Sequence, residues 1–363
     1  MITVVRLGNA RGSSARLDRV LTAALAGREY TIIDSIGEFL IAVNDQGLKE
    51  ILTMTPGAKS LRLLFAVHVP SNGFVPEWQE LMAWFMDHDL PRGTVGAVLV
   101  EGEGPLFTKG IARKLIFSAN KAGCTFPGKP LVEATGDLYN FNTLAKIRGL
   151  DNYSAYEESA INLVEKLETF SEAKIERPKI LAIHASNRRT SNSLMLWNML
   201  KVGLVGRAEI EEISIRNGEI IDCRGCGFDT CKHYGENGEC FYGGLVVEKV
   251  YPAIMECSHL VLVCPNYNDS VGANMSAMFN RLTALFYNND FSDKRIYSLI
   301  VSGYSGSELL AEQIIGAMNL NKGFMLPPHF AMMETANDPR SIVDKAGVCE
   351  RAEVMARAML GIE

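Results

Sequence analysis

Three things are missing from this sequence, and each absence removes a class of protein. No apolar run reaches the roughly 18 residues that a membrane-spanning helix needs, so no span is expected. The opening MITVVRLGNARGSS has too short an apolar stretch for a secretory leader, and no small-residue cleavage site follows it; the expected location is the cytoplasm. Basic charge is not in excess: 36 Lys and Arg against 42 Asp and Glu leave a net charge of −6. A nucleic-acid partner, which needs a basic footprint, is therefore not expected.

What is present is length and apolar content. The chain has 363 residues, 47% of them hydrophobic, about twice the usual domain size, and it reads as two copies of one plan. Residues 2–17, ITVVRLGNARGSSARL, run in step with 179–194, KILAIHASNRRTSNSL, with Arg11 opposite Arg188, Ser14 opposite Ser191 and Leu17 opposite Leu194. SLRLLFA at 60–66 answers SHLVLVC at 258–264, and GAVLVEGEG at 96–104 answers YSLIVSGYSG at 297–306. SANKAGCTFP and AMNLNKGFMLP follow. Each half closes with an amphipathic helix, near 154–171 and 340–360. The charged, proline-containing stretch Glu172–Pro178 separates the halves, giving expected domains of 1–174 and 175–363.

Short apolar strands alternating with helices imply an α/β fold with parallel sheets covered on both faces. Five strands per half point to two tandem, doubly wound, flavodoxin-like sheets of order 2-1-3-4-5. Ligands then bind beyond the C-terminal strand ends, where the strand order switches.

In the second half, the loop Ala185-Ser186-Asn187-Arg188-Arg189-Thr190-Ser191-Asn192-Ser193 joins a strand to a helix. Hydroxyls, guanidinium groups and a helix N-terminus together suit an anion. The loop has neither the G-x-x-x-x-G-K-[ST] nor the G-x-G-x-x-G pattern, so it is not an ATPase P-loop or a Rossmann dinucleotide loop. An ordinary capped turn is the plainer alternative. The next strand ends in Cys264-Pro265-Asn266-Tyr267-Asn268-Asp269-Ser270, an aromatic among amides, which suits a planar ring with donors and acceptors on its rim. A third strand end, Ser302-Gly303-Tyr304-Ser305-Gly306, is small and allows close backbone approach.

Between these loops lies CRGCGFDTCKHYGENGEC, residues 223–240. Its four cysteines, Cys223, Cys226, Cys231 and Cys240, are spaced C-x2-C-x4-C-x8-C. Disulfides are rare in the cytoplasm, so the cluster points to metal or redox chemistry. Four thiolates suit a [4Fe–4S] cluster or a tetrahedral zinc, and a segment without metal is the third reading. Cys257 and Cys264 read as core residues.

These motifs resemble those of the flavodoxin-like NADPH-dependent FMN reductases, in particular the iron–sulfur flavoproteins among them. The first loop is similar to the family's G-S-P-R-x-x-S-N-T, with Ala185 and Asn187 in place of Gly and Pro. The second is similar to P-V-Y-x-x-S-x-S, with Asn266 in place of an apolar residue, and Asn280-Arg281 later stands where the family has Asp-Arg. Gly243-Gly244 replaces the Asp-Asp that follows the family's cysteine insert. The resemblance covers about 178–335 and implies FMN. Ser186, Arg188, Ser191, Asn192 and Ser193 would hold its phosphate. Pro265, Asn266, Tyr267, Asn268, Ser270, Ser302, Gly303 and Tyr304 would line its ring.

The expected activity is an FMN-dependent oxidoreductase that moves electrons between a reduced donor and a small-molecule or protein acceptor. NAD(P)H would be the transient donor, and a quinone, a flavin or a redox protein the acceptor. No general acid or base is named. The alternatives are a flavodoxin-like electron carrier without its own substrate, or a zinc-stabilised binding module. The first half keeps Arg11, Gly12, Ser13 and Ser14. It lacks the cysteine insert and the Pro-x-Tyr loop, and it places Glu101 and Glu103 at a strand end where they would repel an anionic cofactor. It is expected to be a degenerate copy without flavin. A homo-oligomer or an internal pseudo-dimer is the expected assembly.

Overall fold

A computed structural model describes residues 1–8, 15–43, 60–186, 190–216 and 220–362. The chain divides into two units, Met1–Ser171 and Glu172–Glu363.

The first unit runs β1 (Ile2–Leu7), α1 (Ala15–Leu25), β2 (Tyr30–Ile33), α2 (Ile36–Val43), β3 (Arg62–Val69), α3 (Pro76–Asp87), β4 (Val95–Gly102), α4 (Thr108–Lys121), β5 (Leu131–Ala134), α5 (Asn142–Arg148) and α6 (Asn152–Thr169). The second runs β6 (Lys179–His184), α7 (Asn192–Leu204), β7 (Glu209–Ser214), α8 (Phe228–Glu236), α9 (Tyr251–Glu256), β8 (His259–Pro265), α10 (Ala273–Leu285), β9 (Arg295–Ser302), α11 (Ser307–Ile314), β10 (Ala331–Thr335) and α12 (Val348–Met359). Both sheets are parallel: β2-β1-β3-β4-β5 and β7-β6-β8-β9-β10. This is the flavodoxin-like order, with the switch between β1 and β3 in one unit and between β6 and β8 in the other. Among the described residues, no helix is long and apolar enough to cross a membrane.

The inner strands β4 and β9 are buried along their whole length, as a sheet covered on both faces requires. On one face of the second sheet, Trp197, Leu200 and Leu204 of α7 meet Val348, Ala352 and Ala356 of α12 over Val261 and Leu299. Leu17, Leu21, Tyr156 and Val164 form the matching layer of the first unit. The closing helix of the second unit begins only at Val348; Ser341–Asp344 is a short 3-10 turn.

The two units repeat one backbone plan in detail. Val95 bridges Thr125 in one and Arg295 bridges Met325 in the other. Left-handed residues recur at matched places: Phe107 and Gly306, Gly123 and Gly323, Lys129 and His329. Buried Asn120 donates its amide to the Cys124 carbonyl at 2.9 Å, and buried Asn319 donates to the Phe324 carbonyl at 2.8 Å. The second unit has one residue more between these landmarks. It absorbs that residue by winding Ile315–Lys322 as a π-helix, the usual way a helix accommodates a single insertion.

The sheet register also corrects the sequence pairing by one residue. Gly96 neighbours Leu63, which neighbours Thr3; Ile296 neighbours Leu260, which neighbours Leu181. Thr3 therefore matches Leu181, not Ile180. Arg11 and Arg188, which carried the original pairing, lie outside the described residues.

Candidate functional site

The loops at the switch point of the second unit sit where β6, β8 and β9 end. Ser191 is the N-cap of α7, and its hydroxyl accepts from the Leu194 N–H at 3.4 Å. Ser193 is buried, its hydroxyl 3.1 Å from that of Ser191. Ser186 lies half-buried at the strand end, while Asn187, Arg188 and Arg189 fall outside the described residues. Two hydroxyls beside a 13-residue helix N-terminus form an arrangement that suits a phosphate.

Asn192 has a different task from the one its motif implies. Its amide donates to the carbonyls of Ala336 (3.1 Å) and Asp338 (2.8 Å) and accepts from the Ile342 N–H (3.3 Å). The side chain ties the start of α7 to the loop after β10, leaving only its backbone N–H for an anion. His184, the last residue of β6, is buried with an unpartnered Nδ1, and burial lowers its pKa. It enters the site as a neutral imidazole. A polar residue closing the apolar run KILAI was the only sequence signal for it.

Tyr267 and Ser270 exchange backbone hydrogen bonds at 3.2 Å in both directions, with Asn268 (φ 52) and Asp269 (φ 56) between them. This is a type I′ turn, which needs positive φ at both central residues, and Asn and Asp tolerate that conformation. Asn268 therefore stands at the turn tip. Asn266 is a hub: Nδ2 donates to the Ser302 hydroxyl and the Ser305 carbonyl, each at 3.0 Å, and Oδ1 accepts from the Asp269 N–H at 2.8 Å. An apolar residue at 266 could not lock these two loops together. Gln313 of α11, absent from the sequence reading, accepts from the Val271 N–H at 3.0 Å and braces the same turn. The two loops so joined present Tyr267 and Tyr304, 62% and 81% exposed, beside the small residues Ser302 and Gly303. Pro265 is half-buried at the end of β8.

The cysteine segment is held from α10. Asn280 donates to the Asp222 carboxylate at 3.0 Å, and Arg281 donates to the Ile221 and Gly243 carbonyls at 3.3 and 2.7 Å. A Cβ on Gly235 of α8 would lie 2.8 Å from the Ala284 carbonyl oxygen, so only glycine allows α8 this close to α10. Gly243 and Gly244 both have positive φ (48° and 71°), a backbone that glycine adopts without steric cost.

Cys223, Cys226, Cys231 and Cys240 line one cavity of about 110 Å³. The Cys231 thiol is pushed up by burial and then by the charges of the other three, which places all four within electrostatic reach. Among the described residues, no three His, Cys, Asp or Glu side chains are arranged to hold a metal ion. A single zinc would need its sulfurs about 2.3 Å from one point. The thiols line a shared space without meeting in that way. Cys257 and Cys264 are core residues, their thiols pushed up to about 12 by burial.

The first unit ends its matching strands differently. Register places His68 where the second unit has Pro265, and Glu101 and Glu103 where it has Val301 and Gly303. Buried Glu101 accepts from Arg16 Nε at 3.0 Å, and the same guanidinium donates to the Gly136 and Thr135 carbonyls. Glu103 accepts from the Ser71 N–H and hydroxyl at 2.9 Å, which hold its pKa down, and lies 3.7 Å from His68 Nε2. The charge of Glu101 is thus balanced by Arg16, whereas Glu103 keeps its negative charge at this end.

Residues 178–338 match the NADPH-dependent FMN reductase family, so the second unit is similar to that family; the match covers less than half of the chain. No curated protein matches. Among solved structures, an NAD(P)H:quinone oxidoreductase from Methanothermobacter marburgensis is similar at 16% identity, covering 50% of this chain and 96% of that one, with a TM-score of 0.40. RosB, with a bound 8-demethyl-8-formylriboflavin-5'-phosphate intermediate, is similar at 16% identity over 51% of this chain and 77% of that one, TM-score 0.40. An NADH:FMN oxidoreductase in its apo form is similar at 14% identity over 51% and 90%, TM-score 0.36.

Proposed function

We propose that the protein is an FMN-dependent NAD(P)H oxidoreductase whose flavin is held by the second unit alone. The observation that carries this is the coincidence of the family match at 178–338 with three switch-point loops suited to a phosphate and a flat ring. Ser186, Arg188, Ser191 and Ser193 would receive the phosphate, with Asn192 holding the loop that presents it. Tyr267, Tyr304, Pro265, Ser302 and Gly303 would border the ring, with Asn266, Asn268 and Ser270 shaping the turn. Bound FMN accepts a hydride and releases electrons one or two at a time; the chain's part is to bind, orient and tune it. NAD(P)H is the donor in this reading, and a small molecule such as a quinone or flavin, or a redox protein, the acceptor. The first unit is a degenerate copy without flavin, residues 1–174 in the division proposed here.

A tetrathiolate centre at Cys223, Cys226, Cys231 and Cys240 is the finer part of the same proposal. Its support is the donor set of four thiols around one cavity. Four thiols are the donor set of either an iron–sulfur cluster or a zinc, and among the described residues no three such side chains are already arranged to hold a metal ion. The test is purification under anaerobic conditions, flavin identification after heat release, and anaerobic mixing with NADPH. FMN that is bleached by NADPH and recoloured by a quinone supports the enzyme. FMN reduced only by a partner protein supports an electron carrier, and a colourless zinc protein overturns the proposal.

A further inference from the structure

The turn proposed to border the flavin carries a fixed negative charge. The Asp269 carboxylate accepts from Asn266 Nδ2 at 3.3 Å, and the same amide nitrogen donates to the Ser302 hydroxyl and the Ser305 carbonyl. A Cβ on Gly306 would lie 2.3 Å from Asp269 Oδ1, so the carboxylate rests against the backbone of the next loop. The main chain of Asp269 is held as well. Its N–H donates to Asn266 Oδ1 at 2.8 Å, and its carbonyl accepts from Gln313 Nε2 at 3.3 Å. The residue is exposed, yet its carboxylate is pinned at the junction of the loops after β8 and β9. Among the described residues no basic group pairs with it. The stretches 265–280 and 302–321 contain no Lys or Arg, and their charged residues, Asp269, Glu308 and Glu312, are all acidic.

The ring of oxidised FMN is neutral. A hydride brings two electrons and one proton, so the reduced ring carries one negative charge. A carboxylate beside it disfavours the reduced form by repulsion and leaves the neutral oxidised ring nearly untouched. We propose that Asp269 lowers the reduction potential of the bound flavin and so makes the reduced site a stronger electron donor to its acceptor. This rests on the proposed FMN site of the second unit. In the pattern P-V-Y-x-x-S-x-S the position of Asp269 is unspecified, so the charge is a property of this chain. Asp269 also shapes the turn, and a purely structural role makes a competing prediction. Asparagine keeps an acceptor for the Asn266 amide and tolerates positive φ, but it carries no charge. Salt screens an exposed charge; it does not screen the geometry of a turn.

The full chain is prepared as wild type and as Asp269→Asn. Oxidised FMN is titrated into each apoprotein, and the two-electron potential of the bound flavin is measured anaerobically against a reference dye. Both are done at 0.01 and 1 M salt, where the screening length is about 30 and about 3 Å. At low salt Asp269→Asn is expected to prefer reduced over oxidised FMN at least about threefold more than the wild type does. A tenfold change would raise the potential by about 30 mV for a two-electron couple. Affinity for oxidised FMN is expected to stay near the wild type, and the gap in potential to close at high salt. Equal potentials at low salt overturn the proposal. So does a gap that persists in 1 M salt, which assigns Asp269 to the shape of the turn. If Asp269→Asn does not fold, Asn268→Asp adds a carboxylate at the neighbouring position. A lower potential at low salt that recovers at high salt then supports the charge role, and an unchanged one refutes it. A wild type that binds no FMN shows instead that the flavin reading has failed, and the proposal falls with it.

Discussion

The two units end the same strands in different chemistry. Where the second unit has Pro265, Val301 and Gly303, the first has His68, Glu101 and Glu103. In the second, the residue opening the helix after the first strand is Asn192, which bonds to the carbonyls beyond β10; in the first, Arg16 reaches the carbonyls beyond β5 in the same manner. The tether is kept and its charge is changed. The second unit leaves its strand ends small, with two exposed tyrosines above them. The first fills them with an ion pair and a histidine–glutamate contact. The scaffold is common to both, and the ligand capacity proposed for the second unit rests on about half a dozen side chains at one edge.

That contrast can be broken deliberately. The largest expected effect is in the first unit. Arg16→Met leaves Glu101 buried without its guanidinium and should cost roughly 3–5 kcal/mol, read by denaturant unfolding, while FMN content stays at the wild-type level. A variant that loses flavin would show that the units do not divide these tasks. Next comes Gly303→Glu, which gives the second unit the first unit's residue. A carboxylate beside an anionic cofactor should weaken FMN about 100-fold, or about 3 kcal/mol. The new Cβ also meets Asn337 Oδ1 at 3.0 Å. Flavin titration of the apoprotein measures the change.

Much of this architecture could be read from the sequence, and the reasons are specific. Apolar runs such as SLRLLFA and SHLVLVC announce buried parallel strands, and their order suffices for the sheet. The cysteine spacing and the Pro-x-Tyr loop are local, so they survive without a structure. The uses of Asn192 and Asn266 are not local. Both looked like ligand contacts, yet their amides are consumed by partners far away in the sequence. His184 and Arg281 are set apart by burial and Gln313 by a bond to a turn 42 residues away, neither of which a single sequence displays at isolated polar positions. The duplication was displaced by one residue because strand register, not the resemblance of loop residues, decides equivalence.

Two smaller effects sharpen the comparison. Asn120→Ala and Asn319→Ala remove the same bond from each unit and should each cost about 2 kcal/mol by leaving a buried carbonyl unpaired. Markedly unequal losses in unfolding experiments would argue against equivalence of the two sites. Last is pH. Burial, then Arg295, holds His259 at a pKa of about 3, below its unfolded value, so the unfolded chain takes up the proton first. The second unit's stability should be intact above about pH 6.5 and fall on acidification towards 3, by at most about 1.4 kcal/mol per pH unit. Register puts Arg62 at this place in the first unit, so that unit lacks this histidine's contribution. His259→Asn should flatten the slope, as measured by urea midpoints between pH 7 and 4.

The most direct measurement is flavin stoichiometry, with heat-released FMN counted per chain in the wild type and in Gly303→Glu. The predicted result is one FMN per wild-type chain and almost none in the variant. Two per chain, none in the wild type, or one retained in the variant would contradict the assignment of flavin to the second unit's switch point.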